Sequence, residues 1–161
     1  MLRISARSVS VPLAASCVAL ALLVAPGVHA QEVSPDFAGQ VQTTLPSNEQ
    51  LLGQIQDALP AEDLTSVSDQ TDLSLSTGES LLEQLNAAII LAPDDASRSR
   101  IEGVLAHTQA ALDSLRMAQT ETSLDSARGR LDQARGEVQE SLTELRPFVL
   151  GLFSSGAITG K

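Results

Sequence analysis

Few side chains in this sequence could do chemistry, and their types limit what that chemistry would be. There is one cysteine, Cys17, and there are two histidines, His29 and His107. A zinc or copper centre draws on several imidazole or thiolate ligands, so the chain offers no credible donor set and no metal or cofactor is expected. A nucleophilic hydroxyl needs a neighbouring base. His107 is the one imidazole beyond the N-terminal region, and no serine stands in a Gly-x-Ser-x-Gly turn. Carboxylates are abundant, but Glu62-Asp63 and Asp94-Asp95 lack the alternating oxygen donors of a calcium loop. Asp94-Asp95 reads as a helix cap, with weak divalent-cation binding as a secondary expectation. No catalytic residue is assigned.

The first thirty residues read as a secretory signal peptide. Arg3 and Arg7 are followed by an apolar stretch over 9–24, then Pro26-Gly27 and the small-residue site Val28-His29-Ala30. Cleavage is expected after Ala30, which removes Cys17 and His29 and leaves no disulfide partner. A bilayer needs about 20 apolar residues, so no transmembrane span is expected after cleavage. The expected location is periplasmic or secreted.

Beyond Ala30 the chain carries twenty acidic residues against eight basic ones, a formal charge of −12. Residues 31–97 hold twelve of the acids and no Lys or Arg. Nucleic-acid binding needs basic clusters, and their absence excludes it. Phe37, Phe148 and Phe153 are the only aromatics, which disfavours the aromatic-faced pockets of many ligand sites.

These groups must be positioned by helices. Residues 31–78 read as an acidic, partly disordered segment: a short helix ending at Pro46, another from the Ser47-Asn48-Glu49-Gln50 capping box to Pro60, then a Ser/Thr/Asp-rich linker over 61–78. Residues 79–146 read as an all-α, up-down-up antiparallel three-helix bundle with coiled-coil spacing. Its helices are expected over 79–92, 95–119 and 122–146. Ile101, Leu105, Leu112 and Leu115 line one helix; Leu124, Leu131, Val138 and Leu145 line the next at heptad intervals, alternating with Ala127, Ala134 and Ser141. Small residues at alternate core positions let helices approach closely.

The bundle is expected to extend to residue 153, with a flexible tail over 154–161. Within it, Phe148, Val149, Leu152 and Phe153 form the candidate docking element for a partner. The expected function is that of an exported, non-enzymatic interaction or structural module, contacting another envelope protein or a second copy of itself. A chaperone-like protein binding cations or basic clients is the alternative. An enzyme working through carboxylates alone is the third reading.

Overall fold

Each helix starts where a side-chain oxygen can accept a hydrogen bond from a free backbone N–H. In a computed structural model describing residues 33–154, the Ser34 hydroxyl accepts from the Phe37 N–H at 3.1 Å, with Pro35 at the first helical position. Asp63 accepts from the Ser66 N–H at 2.8 Å and Asp94 from the Ser97 N–H at 2.6 Å. The Ser123 hydroxyl accepts from the Ser126 N–H at 3.4 Å. The four helices so started are α1 (Pro35–Ala58), α2 (Leu64–Leu91), α3 (Asp95–Thr120) and α4 (Leu124–Ser154). Among the described residues there is no strand. The proposed signal peptide and its cleavage site lie outside the described residues.

Short turns at 59–63, 92–94 and 121–123 make sequential helices antiparallel. The ring closes between first and last: Asn48 meets Ser141, Glu49 meets Arg146 and Phe37 meets Phe148. Rising numbers on α1 meet falling numbers on α4, so this pair is antiparallel too. The architecture is thus four helices in an up-down-up-down ring. The expected three-helix bundle is corrected by one helix, and the expected boundary at 78/79 falls inside α2.

Core composition explains why the two short helices expected on either side of Pro46 are one continuous helix, with Ser47 inside it rather than capping a second, and why the expected linker over 61–78 is largely helical. In α1 the buried positions Phe37, Val41, Thr44, Asn48, Leu51, Ile55 and Ala58 follow an unbroken alternation of four and three residues. The stripe passes straight through Pro46, which is exposed on the outer face. Proline removes one backbone donor and costs about 3 kcal/mol in a helix interior. Here burial of Phe37 and Val41 before it, and of Leu51 and Ile55 after it, offsets that cost.

In α2 the same alternation selects Val67, Thr71, Ser74, Gly78, Leu81, Leu85 and Ala88. Its first half presents hydroxyls and a glycine to the core rather than large apolar groups. The Thr71 hydroxyl donates to the Val67 carbonyl at 2.6 Å and Ser74 to the Gln70 carbonyl at 3.1 Å, so both are satisfied within the helix. Gly78 leaves a notch filled by Leu112 of α3: a β-carbon there would lie 2.3 Å from Leu112 Cδ2. The segment expected to be a partly disordered linker is therefore a core helix whose small residues admit a close neighbour.

Candidate functional site: the bundle end and the polar positions

The residues expected to pack helices are found in two settings. Ile101, Leu112, Leu115, Leu131, Val138 and Leu145 are fully buried, whereas Leu105 and Leu124 are partly buried at the core's margin. Around them the core includes several polar groups. Thr44, Asn48, Thr108 and Ser141 are all fully buried. The hydroxyls of Thr44 and Thr108 donate to the carbonyls of Val41 and Val104. Asn48 differs, because its amide donates across the helix interface to the Ser141 hydroxyl while its Oδ1 has no hydrogen-bond partner. A buried amide left half-satisfied is costly, so this pair holds α1 against α4 in one register.

His107 joins α3 to α4. Its Nδ1 lies 2.9 Å from a Glu137 carboxylate oxygen and its Nε2 lies 3.9 Å from Glu144. Gly103 faces Glu144, where a β-carbon would come within 2.7 Å of the carboxylate. Further along, Ala96, Ser99, Arg100, Gly103, Glu144 and Pro147 line an open surface groove between these helices. The histidine is held by two carboxylates and touches no hydroxyl nucleophile. Among the described residues no group of three or more His, Cys, Asp or Glu is arranged to hold a metal ion.

The acidic half is partly neutralised by the other half. Arg116 of α3 reaches Glu79 of α2 at 3.2 Å, and Arg146 of α4 reaches Glu49 of α1 at 3.0 Å. Arg128 donates to the Ala61 carbonyl at 2.6 Å in the α1–α2 turn. Asp63, which caps α2 in that turn, has its carboxyl held below the ordinary value by hydrogen bonds from the Ser66 N–H and hydroxyl.

The candidate docking element is rearranged. Helix α4 continues through the exposed Pro147 to Ser154, and the apolar residues beyond the proline divide between core and surface. Val149 and Leu152 are buried, and Phe148 is half-buried. The Phe148 ring meets Phe37 edge-on with centroids 6.2 Å apart, while Arg100 sits 5.7 Å over it. Of the four residues expected to dock, Phe148, Val149 and Leu152 complete the bundle's own core, and Phe153 is exposed. The reason is phase: a continued heptad would bury Phe148 and Leu152, but Val149 takes the fully buried place and leaves Phe148 half-buried, while Leu152 keeps the phase.

Two further apolar groups belong with Phe153. Leu150 is 65% exposed, and Ile90, near the end of α2, is 81% exposed with Leu91 beside it. Antiparallel topology places the C-terminal ends of α2 and α4 and the N-terminal end of α1 at the same end of the bundle. The sequence holds a trace of Ile90, since Leu85 and Ala88 already fill the α2 stripe and Ile90 falls off it. Leu150 was not legible, because an uninterrupted run over 148–150 has no periodicity to assign a face. No protein-family model, curated protein or solved structure matches the chain. Among the described residues no helix is long and apolar enough to cross a membrane.

Proposed function

We propose that this protein is an exported, non-enzymatic interaction module of the cell envelope, with the α2/α4 end of the bundle as its contact surface. The observation that carries this reading is the exposure of Leu150 and Phe153 on the last turns of α4, with Ile90 and Leu91 on the last turn of α2 at the same end; Leu64, Leu73 and Met117 are the other exposed large apolar side chains among the described residues. Large apolar side chains gathered in one region of a surface mark contact sites more often than scattered ones do. Export is supported by the signal-like sequence of residues 1–30. The contact surface shares only Phe153 with the four-residue tail element expected from sequence, and it draws on two helices instead of one.

The test is site-specific photocrosslinking in the native cell. A photoreactive side chain is placed at position 150 or 153 and, as a control, at the exposed position 122 in the α3–α4 turn. Adducts expected at 150 and 153 disappear when Ile90 is changed to Ser together with the other position of that pair. An absence of adducts at both positions, in a chain shown to be exported and helical, would overturn the reading.

A further inference from the structure

Polar groups left unmatched in the interior collect around α1. Among the described residues, the buried side-chain atoms without a hydrogen-bond partner are Asn48 Oδ1, Gln54 Oε1, Arg128 Nε and Arg135 Nε. Asn48 and Gln54 belong to α1 itself. Gln54 follows Gln40 and Ser47 at seven-residue intervals, and those two donate to Gln84 of α2. Arg128 lies on the side of α4 that faces the α1–α2 turn, where it reaches the Ala61 carbonyl. Arg135 is one heptad further along that side and turns its guanidinium to Asp132 of its own helix. Both flanks of α1 are thus satisfied only in part, and an unmatched buried group loses more than a made hydrogen bond gains.

The backbone of α1 adds little of its own. Gly39, Pro46 and Gly53 recur every seven residues, and nothing approaches where a β-carbon on either glycine would stand. Proline removes a helical hydrogen bond, and glycine gives up the most backbone freedom on ordering. The helix is held by seating Phe37, Val41, Leu51 and Ile55 against α2 and α4, and it makes no contact with α3. Helix α4 also contains glycines and a proline, but it is longer and is fastened to α3 through His107–Glu137 and Arg130–Glu121.

From this we infer that α1 leaves and re-enters its seat while α2, α3 and α4 stay folded, and that the vacated groove between α2 and α4 takes the α1 of a second copy of this chain. The groove specifies that occupant. Ser141 stands opposite Asn48, Arg146 opposite Glu49 and Phe148 opposite Phe37, and a second α1 brings the same three groups in the same register. The turn at 59–63, with Pro60 exposed in it, is the connection that opens. Reciprocal exchange of one helix gives a two-fold dimer that keeps every contact of the seat. This groove is distinct from the end bearing Leu150 and Phe153, so the two readings fail separately.

The experiment uses the full chain with Cys17→Ser, so that engineered thiols are the only ones. One population carries Glu49→Cys and the other Arg146→Cys. They are mixed at high protein concentration, in salt that screens the repulsion between acidic copies, and samples are treated with a short bismaleimide over time. Covalent dimers joined 49 to 146 are expected to accumulate. A chain carrying both cysteines, expected to link internally, shows that the reagent spans the seam. Glu49→Cys mixed with Arg116→Cys of α3 reports random collision and is expected to give little dimer. Ser141→Ala strands Asn48 and is expected to speed dimer formation about tenfold. Gly78→Ala, which disturbs α2 against α3, is expected to leave the rate unchanged. No 49–146 dimer, in a mixture whose doubly substituted control links internally, overturns the inference. So does an equal yield from the 49–116 mixture. Equal acceleration by Gly78→Ala also overturns it, because exchange would then require unfolding of the whole bundle.

Discussion

At the scale of single residues, glycines and polar core groups are the informative positions. Gly78 accommodates Leu112, and a β-carbon there would meet Leu112 Cδ2 at 2.3 Å. Leu112 is fully buried, so displacing its side chain disturbs the packing around it. Overpacking costs typically 1–3 kcal/mol, against a helix-propensity gain of about 1 kcal/mol for Gly to Ala. Gly78→Ala is expected to lower the thermal midpoint. Gly53→Ala, with nothing within 4 Å of the new carbon, is expected to raise stability by up to about 1 kcal/mol. Urea unfolding of the two variants checks both signs, and a more stable Gly78→Ala would show that the notch is not required.

The Asn48–Ser141 pair gives a second contrast. Removing one partner strands a buried polar group at a cost of about 1–3 kcal/mol, whereas replacing both by apolar groups of similar shape is close to neutral. Ser141→Ala is expected to destabilise, and Asn48→Leu with Ser141→Ala to recover most of the loss. A double-mutant cycle reads the coupling. If the double variant is no more stable than the single one, the cost lies elsewhere. Because a polar core residue fixes register in helical bundles, the recovered variant is also the one to examine for altered helix number by sedimentation.

Among the elements, α2 separates pattern from structure most sharply. Its first half, 64–78, is as much a core helix as its second, with Val67, Thr71, Ser74 and Gly78 all buried. Backbone amides within 67–78 are therefore expected to be protected from hydrogen exchange to the same degree as those within 79–88, as cooperative units open together. Fast exchange confined to 67–78 would restore the linker reading. The helix is started by Asp63, whose carboxyl is held below its ordinary value of 3.8 by Ser66. A lowered folded-state value means the carboxylate contributes stability above pH 3.8, and that contribution is lost as the pH falls through the lowered value. Replacing Asp63 by Ala is expected to lower the midpoint at pH 7 and to flatten the acid dependence below pH 4, read from thermal melts across pH. An unchanged acid slope would remove Asp63 from the account.

For the whole molecule the governing quantity is charge distribution. The acidic residues of α1 and α2 find cations only by reaching α3 and α4, through the exposed pairs Glu49–Arg146 and Glu79–Arg116. Exposed pairs contribute at most about 1 kcal/mol each. The surplus of carboxylates repels itself over a longer range, because the Debye length is about 30 Å at 0.01 M salt and about 10 Å at 0.1 M. Screening should therefore weaken the repulsion more than the pairs. The thermal midpoint is expected to rise between those two concentrations of sodium chloride. A falling midpoint would mean the ion pairs dominate.

The sequence by itself determined the helical class, the antiparallel connections of the last three helices, the heptad spacing of α3 and α4 and the cap at Asp94. These depend on local hydrogen bonding and on a 3–4 alternation visible wherever the core residues are large and apolar. Ser47, read as the start of a helix, lies inside α1, and the cap at Asp63 was missed. Only the tertiary structure decided that α1 and the first half of α2 are core helices, and which side of α4 faces inward after Pro147. At Thr44, Asn48, Thr71, Ser74 and Gly78 the core-facing residue is small or polar, so hydropathy carries no signal there. What makes those positions interior is the neighbour opposite: Leu112 against Gly78, Ser141 against Asn48. In the apolar run that ends α4, hydropathy is uniform instead, and contact with Phe37 and Arg100 settles which side chains are covered and which remain outside. Burial is a property of the partner surface, and no single helix contains it.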